Sequence, residues 1–155
     1  MRILVLGVGN VIMGDDGLGI YVARMVKDRL RHRADVDVKE VSVGGLKMVE
    51  EILGYDQVII VDSYASNDAV PGRIREFEPE QFEDTLHVSS PHGTNFAMAL
   101  QMYRNLEPDR IPKKIRIFTA DIDPNLTFGE SMSEPARDAA SRLTQMIVLK
   151  IERTA

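Results

Sequence analysis

The sequence predicts a three-layer α/β sandwich, with an about five-stranded, mostly parallel twisted sheet and helices on both faces. Three observations predict it. Residues 2–8 (RILVLGV) and 57–63 (QVIIVDS) are nearly continuous apolar runs, the pattern of strands buried on both faces of a parallel sheet. Segments of helical period alternate with these strands, so two βαβ units follow one another, and such units are right-handed. The chain has 155 residues, enough for one core and one domain, expected over residues 1–155.

Each element has its own signal. After the first strand, helical spacing from Gly17 puts Leu18, Tyr21, Val22, Met25, Val26 and Leu30 on one stripe, with Lys27, Asp28 and Arg31 opposite. Residues 36–43 (VDVKEVSV) are β-branched and partly alternating, a second strand, and 45–53 form a short helix. The third strand is 57–63. Residues 72–77 (GRIREF) form a strand whose Arg73, Arg75 and Glu76 suit an exposed edge. Residues 79–93 are expected as loop with one helical turn. Residues 95–106 form a helix with Phe96, Ala99, Leu100, Tyr103 and Leu106 inward, and 113–122 a fifth strand. After a turn-rich loop, Ser133 starts a long helix to about 152, with Ala136, Ala139, Ala140, Leu143, Met146, Ile147 and Ile151 in period.

Composition excludes several classes. The net charge of −5 argues against a nucleic-acid binder, which needs a basic face; the basic stretch KDRLRHR (27–33) reads as a solvated helix face. With no cysteine there is no disulfide scaffold, thiolate metal site or cysteine nucleophile, so any metal would be held by oxygen and imidazole. The apolar start is too short for a membrane span and no signal-cleavage pattern follows it, so a cytoplasmic protein without membrane association is expected. An acidic, compact chain of this size is compatible with a monomer.

Residues 7–19, GVGNVIMGDDGLG, first suggest a dinucleotide-binding turn. Two glycines of G-x-G-x-x-G fit, but Ile12 stands in the third position. An acidic residue closing the second strand is also missing, since Glu40 falls too early and Ser42, Val43 and Gly44 follow. Asp15 and Asp16 then stand where a pyrophosphate would collect helix N–H groups, and they repel an anion. Helix capping accounts comfortably for one of the two.

A carboxylate–imidazole constellation is the alternative. If strands two and three flank strand one, the loops after strands one and three face each other across the point where strand order reverses. Asp16 lies in the first of these loops and Asp62 at the tip of the third strand. His92 lies in SSPHG before the third helix. Turn capping for Asp62 and a backbone hydrogen bond for His92 are the plain readings. Together, two carboxylates and an imidazole suit a first-row divalent ion such as zinc or nickel, or an acid/base pair without metal. His32 is assigned to the polar face of the first helix, and His87 has no evident partner. No H-E-x-x-H or G-x-S-x-G is present, and Ser63, Ser89 and Ser90 read as turn and cap residues.

In four stretches the chain resembles the hydrogenase maturation endopeptidases: GVGNVIMGDDGLG, the VDS of strand three, SPHGTNFAMAL, and FGESMSEPARDAA before the last helix. The resemblance implies a five-stranded α/β sandwich and removal of the C-terminal extension of a [NiFe]-hydrogenase large-subunit precursor after nickel insertion. It implies that Asp16, Asp62 and His92 contact the metal and carry the reaction. Many relatives have Glu at the position of Asp16, so the side chain here is one methylene shorter. No permanent cofactor is implied; the nickel is carried by the precursor, with zinc or cadmium expected to substitute in vitro. Water polarised by the metal or deprotonated by a carboxylate would cut the peptide. Asp15 is expected to cap the helix or support its neighbour, and Asn10 to bond the loop backbone. The rival readings are a non-enzymatic nickel chaperone using the same three residues and, less well supported, a nucleotide-binding domain.

Overall fold

A computed structural model describes residues 1–42, 44–81, 96–129 and 131–154. Five strands form one sheet: β1 (Ile3–Val8), β2 (Val36–Val41), β3 (Gln57–Ala65), β4 (Ile74–Phe77) and β5 (Lys114–Ile122). Their order is β2-β1-β3-β5-β4, parallel except for β4, which runs antiparallel to β5 at the edge. Among the described residues four α-helices cover it: α1 (Leu18–Arg29), α2 (Leu46–Ile52), α3 (Phe96–Leu106) and α4 (Glu134–Glu152).

The strand pleat sorts the core into two layers. Ile3, Val5, Ile59, Val61, Phe118 and Ala120 pack beneath α1 and α4, against Leu18, Val22, Val26, Leu143 and Ile147. Leu4, Leu6, Val8, Val58, Ile60 and Ile117 pack beneath α2 and α3, against Met48, Val49, Ile52, Phe96 and Leu100. Both faces of β1 and β3 are therefore buried, which is why their sequences read as nearly unbroken apolar runs. Edge strand β2 is only partly buried, and its charged residues face out.

The expected architecture is present, with local corrections. Leu106 and Met146 are exposed rather than inward. Leu106 is the last residue of α3, past the edge of the stripe that Phe96, Ala99 and Leu100 bury. On α4 the buried stripe runs through Thr144 and Val148 and turns Met146 outward. α1 ends at Arg29, so His32 lies beyond it in an exposed turn and not on its polar face. β2 stops at Val41, so Glu40 is its penultimate residue; its carboxylate is held by Arg24 at 2.9 and 3.1 Å. β3 runs on to Ala65, so Asp62 is inside the strand rather than at its tip. No helix among the described residues is long and apolar enough to cross a membrane.

Strand order fixes where a ligand belongs. From β1 the chain moves to one side for β2 and to the other for β3, so the switch point lies between β1 and β3.

Candidate active site at the switch point

The loop after β1 folds back on itself. At Gly9 a Cβ would stand 2.2 Å from the Asp16 carbonyl oxygen, and the Asn10 amide donates to that same oxygen at 3.2 Å. The Asn10 side chain accepts from the Ile12 amide at 3.2 Å, the backbone bond expected of it. Gly14, at φ 57°, supplies the left-handed residue that starts a 3-10 turn over Gly14–Gly17 carrying Asp15 and Asp16. Gly17 is the N-cap of α1, and neither the 3-10 turn nor α1 has a side-chain cap. The expectation that one aspartate caps the first helix is thus not met, because the tight turn directs both side chains elsewhere.

Asp16 points to β3. Its Oδ1 accepts a hydrogen bond from the Ser63 hydroxyl at 3.2 Å, and the Ser63 amide donates to Asp62 Oδ1 at 2.8 Å. Ser63 therefore joins the two carboxylates the sequence singled out. Pairing between β1 and β3 stops at Val61, so Asp62 is the first β3 residue past the end of that ladder. Alternation along β3 puts Ser63 on the α1 side and Asp62 on the α2/α3 side of the sheet edge. Asp62 is 1% exposed, whereas Asp16 is half-buried and borders solvent. His92, like His87, Ser89 and Ser90, lies outside the described residues. Among the described residues, no three His, Cys, Asp or Glu side chains converge on a metal-sized site.

Two further residues at this edge escaped the sequence reading. Ser63 looked like a turn residue but sits within a strand as the bridge. Thr119 is the Cα partner of Asp62 across β3 and β5, on the same face, and its buried hydroxyl has no hydrogen-bond partner. An unsatisfied buried hydroxyl costs roughly 1–3 kcal/mol, an unusual expense beside a buried carboxylate. No sequence signal marks either residue; both emerge only from strand register.

Farther along β5, the buried Asp121 receives Arg75 at 2.9 and 3.1 Å, Arg73 at 3.0 Å and the Val70 amide at 3.0 Å. The Asp121 carboxylate raises the Arg75 guanidinium above its ordinary range. This pairing ties the edge strand β4 to the sheet.

Comparison with known proteins bears on the family and the fold. The family model for hydrogenase maturation protease matches residues 20–150. The hydrogenase 2 maturation protease of Escherichia coli (strain K12) is 27% identical over 143 residues, spanning 88% of this chain and 86% of that one. Among solved structures, the hydrogenase maturating endopeptidase HybD from E. coli superposes with a TM-score of 0.79 at 23% identity, covering 100% of this chain and 94% of that one. The [NiFe] hydrogenase maturation protease HycI from Thermococcus kodakarensis KOD1 gives 0.72 at 24% identity, with 95% and 90% covered. The structural likenesses establish the shared fold, and the family match covers most of the chain. The chain belongs to the hydrogenase maturation protease family.

Proposed function

We propose that this protein is the endopeptidase that removes the C-terminal extension of a [NiFe]-hydrogenase large-subunit precursor once nickel is in place, and that it acts in the cytoplasm. The observation that carries the site reading is the Ser63 bridge between Asp16 and Asp62 at the β1/β3 switch point. Family membership and the names of the relatives support the reaction and its substrate.

In this reading the folded precursor docks at the carboxyl edge of the sheet and presents its own nickel. Asp16 and Asp62 offer hard oxygen ligands and His92 an imidazole, a donor set that suits a divalent first-row ion. Asp16 meets the incoming metal at the solvent boundary, while buried Asp62 is fixed from below by the Ser63 amide. A precursor without metal lacks the contact that places its tail, so the tail stays until nickel is inserted. Water then attacks the scissile carbonyl carbon, the C–N bond breaks, and the leaving amine takes up a proton. The nickel belongs to the substrate, and the protease needs no metal of its own.

The test is incubation of the purified protein with nickel-loaded and nickel-free precursor, followed by intact-mass spectrometry. A single C-terminal peptide lost only from the nickel-loaded form is expected. Tight stoichiometric nickel binding by the isolated protein without cleavage would replace this reading with the chaperone. Equal cleavage of both precursor forms would remove the nickel check.

A further inference from the structure

The two adjacent aspartates of GDDG face opposite ways. Asp16 reaches Ser63 on β3, whereas Asp15 reaches a residue 118 positions away in sequence. Asp15 Oδ1 accepts from the Ser133 amide and Asp15 Oδ2 from the Ser133 hydroxyl, both at 2.7 Å. Ser133 is also the N-cap of α4, its hydroxyl oxygen accepting from the Ala136 amide at 3.4 Å. One side chain thus ends the last helix and grips the first loop. Two backbone bonds reinforce the grip: the Gly14 amide donates to Gly129 O and the Gly129 amide to Ile12 O, each at 2.7 Å.

The geometry points to Asp15 and Ser133 as positioning residues that hold the Asp16 loop in its working place. Both Asp15 oxygens are engaged by the clamp, and the proposed function gives the substrate contact to Asp16. The 3-10 turn has no side-chain cap, and Gly14 gives its backbone conformational latitude, so the Asp15 bonds add to the backbone bonds that hold the loop. A side chain bonded at two points to a fixed helix end restricts that freedom. Misplacing a reacting group by about 1 Å costs on the order of a hundredfold in rate. The start of α4 thereby supports the Asp16 loop through Ser133.

The assignment rests on the peptidase reading only in its activity arm; the structural arm stands alone. Four variants of the full chain separate the possibilities. Asp15→Ala removes both bonds. Asp15→Asn keeps an acceptor for the Ser133 amide while removing the charge. Ser133→Asp keeps a good helix N-cap but sets a carboxylate against Asp15. Ser133→Thr keeps cap and clamp. Hydrogen exchange followed by mass spectrometry should show residues 10–16 exchanging about tenfold faster in Asp15→Ala and Ser133→Asp, with the core strands unchanged. Precursor cleavage by the same two variants should fall roughly tenfold or more in kcat, with KM within about twofold. Asp15→Asn and Ser133→Thr should stay near wild type in both measurements. Unchanged exchange in Asp15→Ala, or wild-type kcat in Ser133→Asp, would overturn the clamp. So would an Asp15→Asn variant as impaired as Asp15→Ala, since charge rather than position would then be at work. A wild-type protein that cuts no precursor would end the peptidase reading, and the exchange data would still decide the clamp.

Discussion

Asp62 on β3 and Asp121 on β5 lie on adjacent strands, at the same end and on the same face of the sheet, 1% and 0% exposed. Their partners differ. Asp121 is gripped by two guanidiniums and an amide, and Arg75 in turn lies over the Tyr64 ring at 4.6 Å. Asp62 accepts from the Ser63 amide, and the hydroxyl of that same serine goes to Asp16. Burying a carboxylate costs several kcal/mol, and at Asp121 the cost is offset by charges that belong to the fold. At Asp62 the described bond comes from a neutral group that leads directly to a second carboxylate. Burial alone therefore does not distinguish the two aspartates; the partners described for each do.

The contrast breaks most visibly by substitution. Asp62→Asn and Asp16→Ala should lower precursor cleavage at least about a thousandfold while leaving the melting temperature nearly unchanged. Asp121→Ala should do the reverse. Loss of a buried carboxylate from its arginines costs on the order of 3 kcal/mol, kept at the low end because Arg73 is half exposed. Thermal unfolding should show a fall of roughly 6–12 °C, with the remaining folded protein fully active. Inactive but fully stable Asp121→Ala protein would exchange the roles assigned to the two aspartates. Ser63→Ala sharpens the comparison: it keeps the amide bond to Asp62 and deletes the hydroxyl bond to Asp16. Steady-state kinetics should then show about a tenfold loss in kcat, between wild type and Asp16→Ala.

These differences explain what could be read in the sequence. β1 and β3 announce themselves because burial on both faces leaves almost no polar position to interrupt the run. Asp62 stands out because a carboxylate at the end of such a run is chemically anomalous, and Asp16 because it follows a glycine-rich turn where a phosphate would otherwise bind. Asp121 has the same sequence surroundings, TADI after an apolar strand, yet its partners Arg73 and Arg75 were legible only as an exposed edge. The pairing depends on β4 running antiparallel to β5, which strand periodicity does not encode. Ser63, Thr119 and the Asp15–Ser133 clamp escaped for a related reason. Each depends on register or on a contact across more than a hundred residues, whereas capping and turn rules see only near neighbours. Of the two roles expected for Asp15, capping the first helix is not met, and its side chain goes instead to Ser133 at the start of the last helix.

Thr119 tests whether the Asp62 side of the comparison is built for substrate. Replacing a buried, unpartnered hydroxyl by a methyl removes an unmet polar group, so Thr119→Val should gain about 1 kcal/mol in a denaturant titration. If the hydroxyl is held in reserve for Asp62 and its ligand, cleavage should fall severalfold in the same variant and return in Thr119→Ser. A more stable and equally active Thr119→Val protein would confine the active site to Asp16, Ser63 and Asp62 among the described residues.

A third carboxylate, at the opposite end of the sheet, gives the smallest effect. Asp37 accepts from the Tyr55 hydroxyl at 2.7 Å and from Arg2 at 3.0 Å, and Arg2 lies over the Tyr55 ring at 4.6 Å. The Tyr55 hydrogen bond, followed by Arg2, holds its carboxyl below the usual carboxylate range. A carboxyl whose folded pKa is depressed contributes stability that is fully present above its unfolded value, near 4, and is lost as pH falls through the folded value. Because the side chain is about half exposed, solvent screening limits that contribution to about 0.5 kcal/mol. Asp37→Asn should therefore be slightly less stable than wild type at neutral pH, and the two unfolding curves should converge as pH falls below the usual carboxylate range. Cleavage should be unaffected, since the Arg2–Asp37–Tyr55 cluster lies at the amino ends of the strands. A loss of activity in Asp37→Asn without loss of stability would show that the two ends of the sheet are coupled, and that partner chemistry alone does not separate structural from functional carboxylates in this fold.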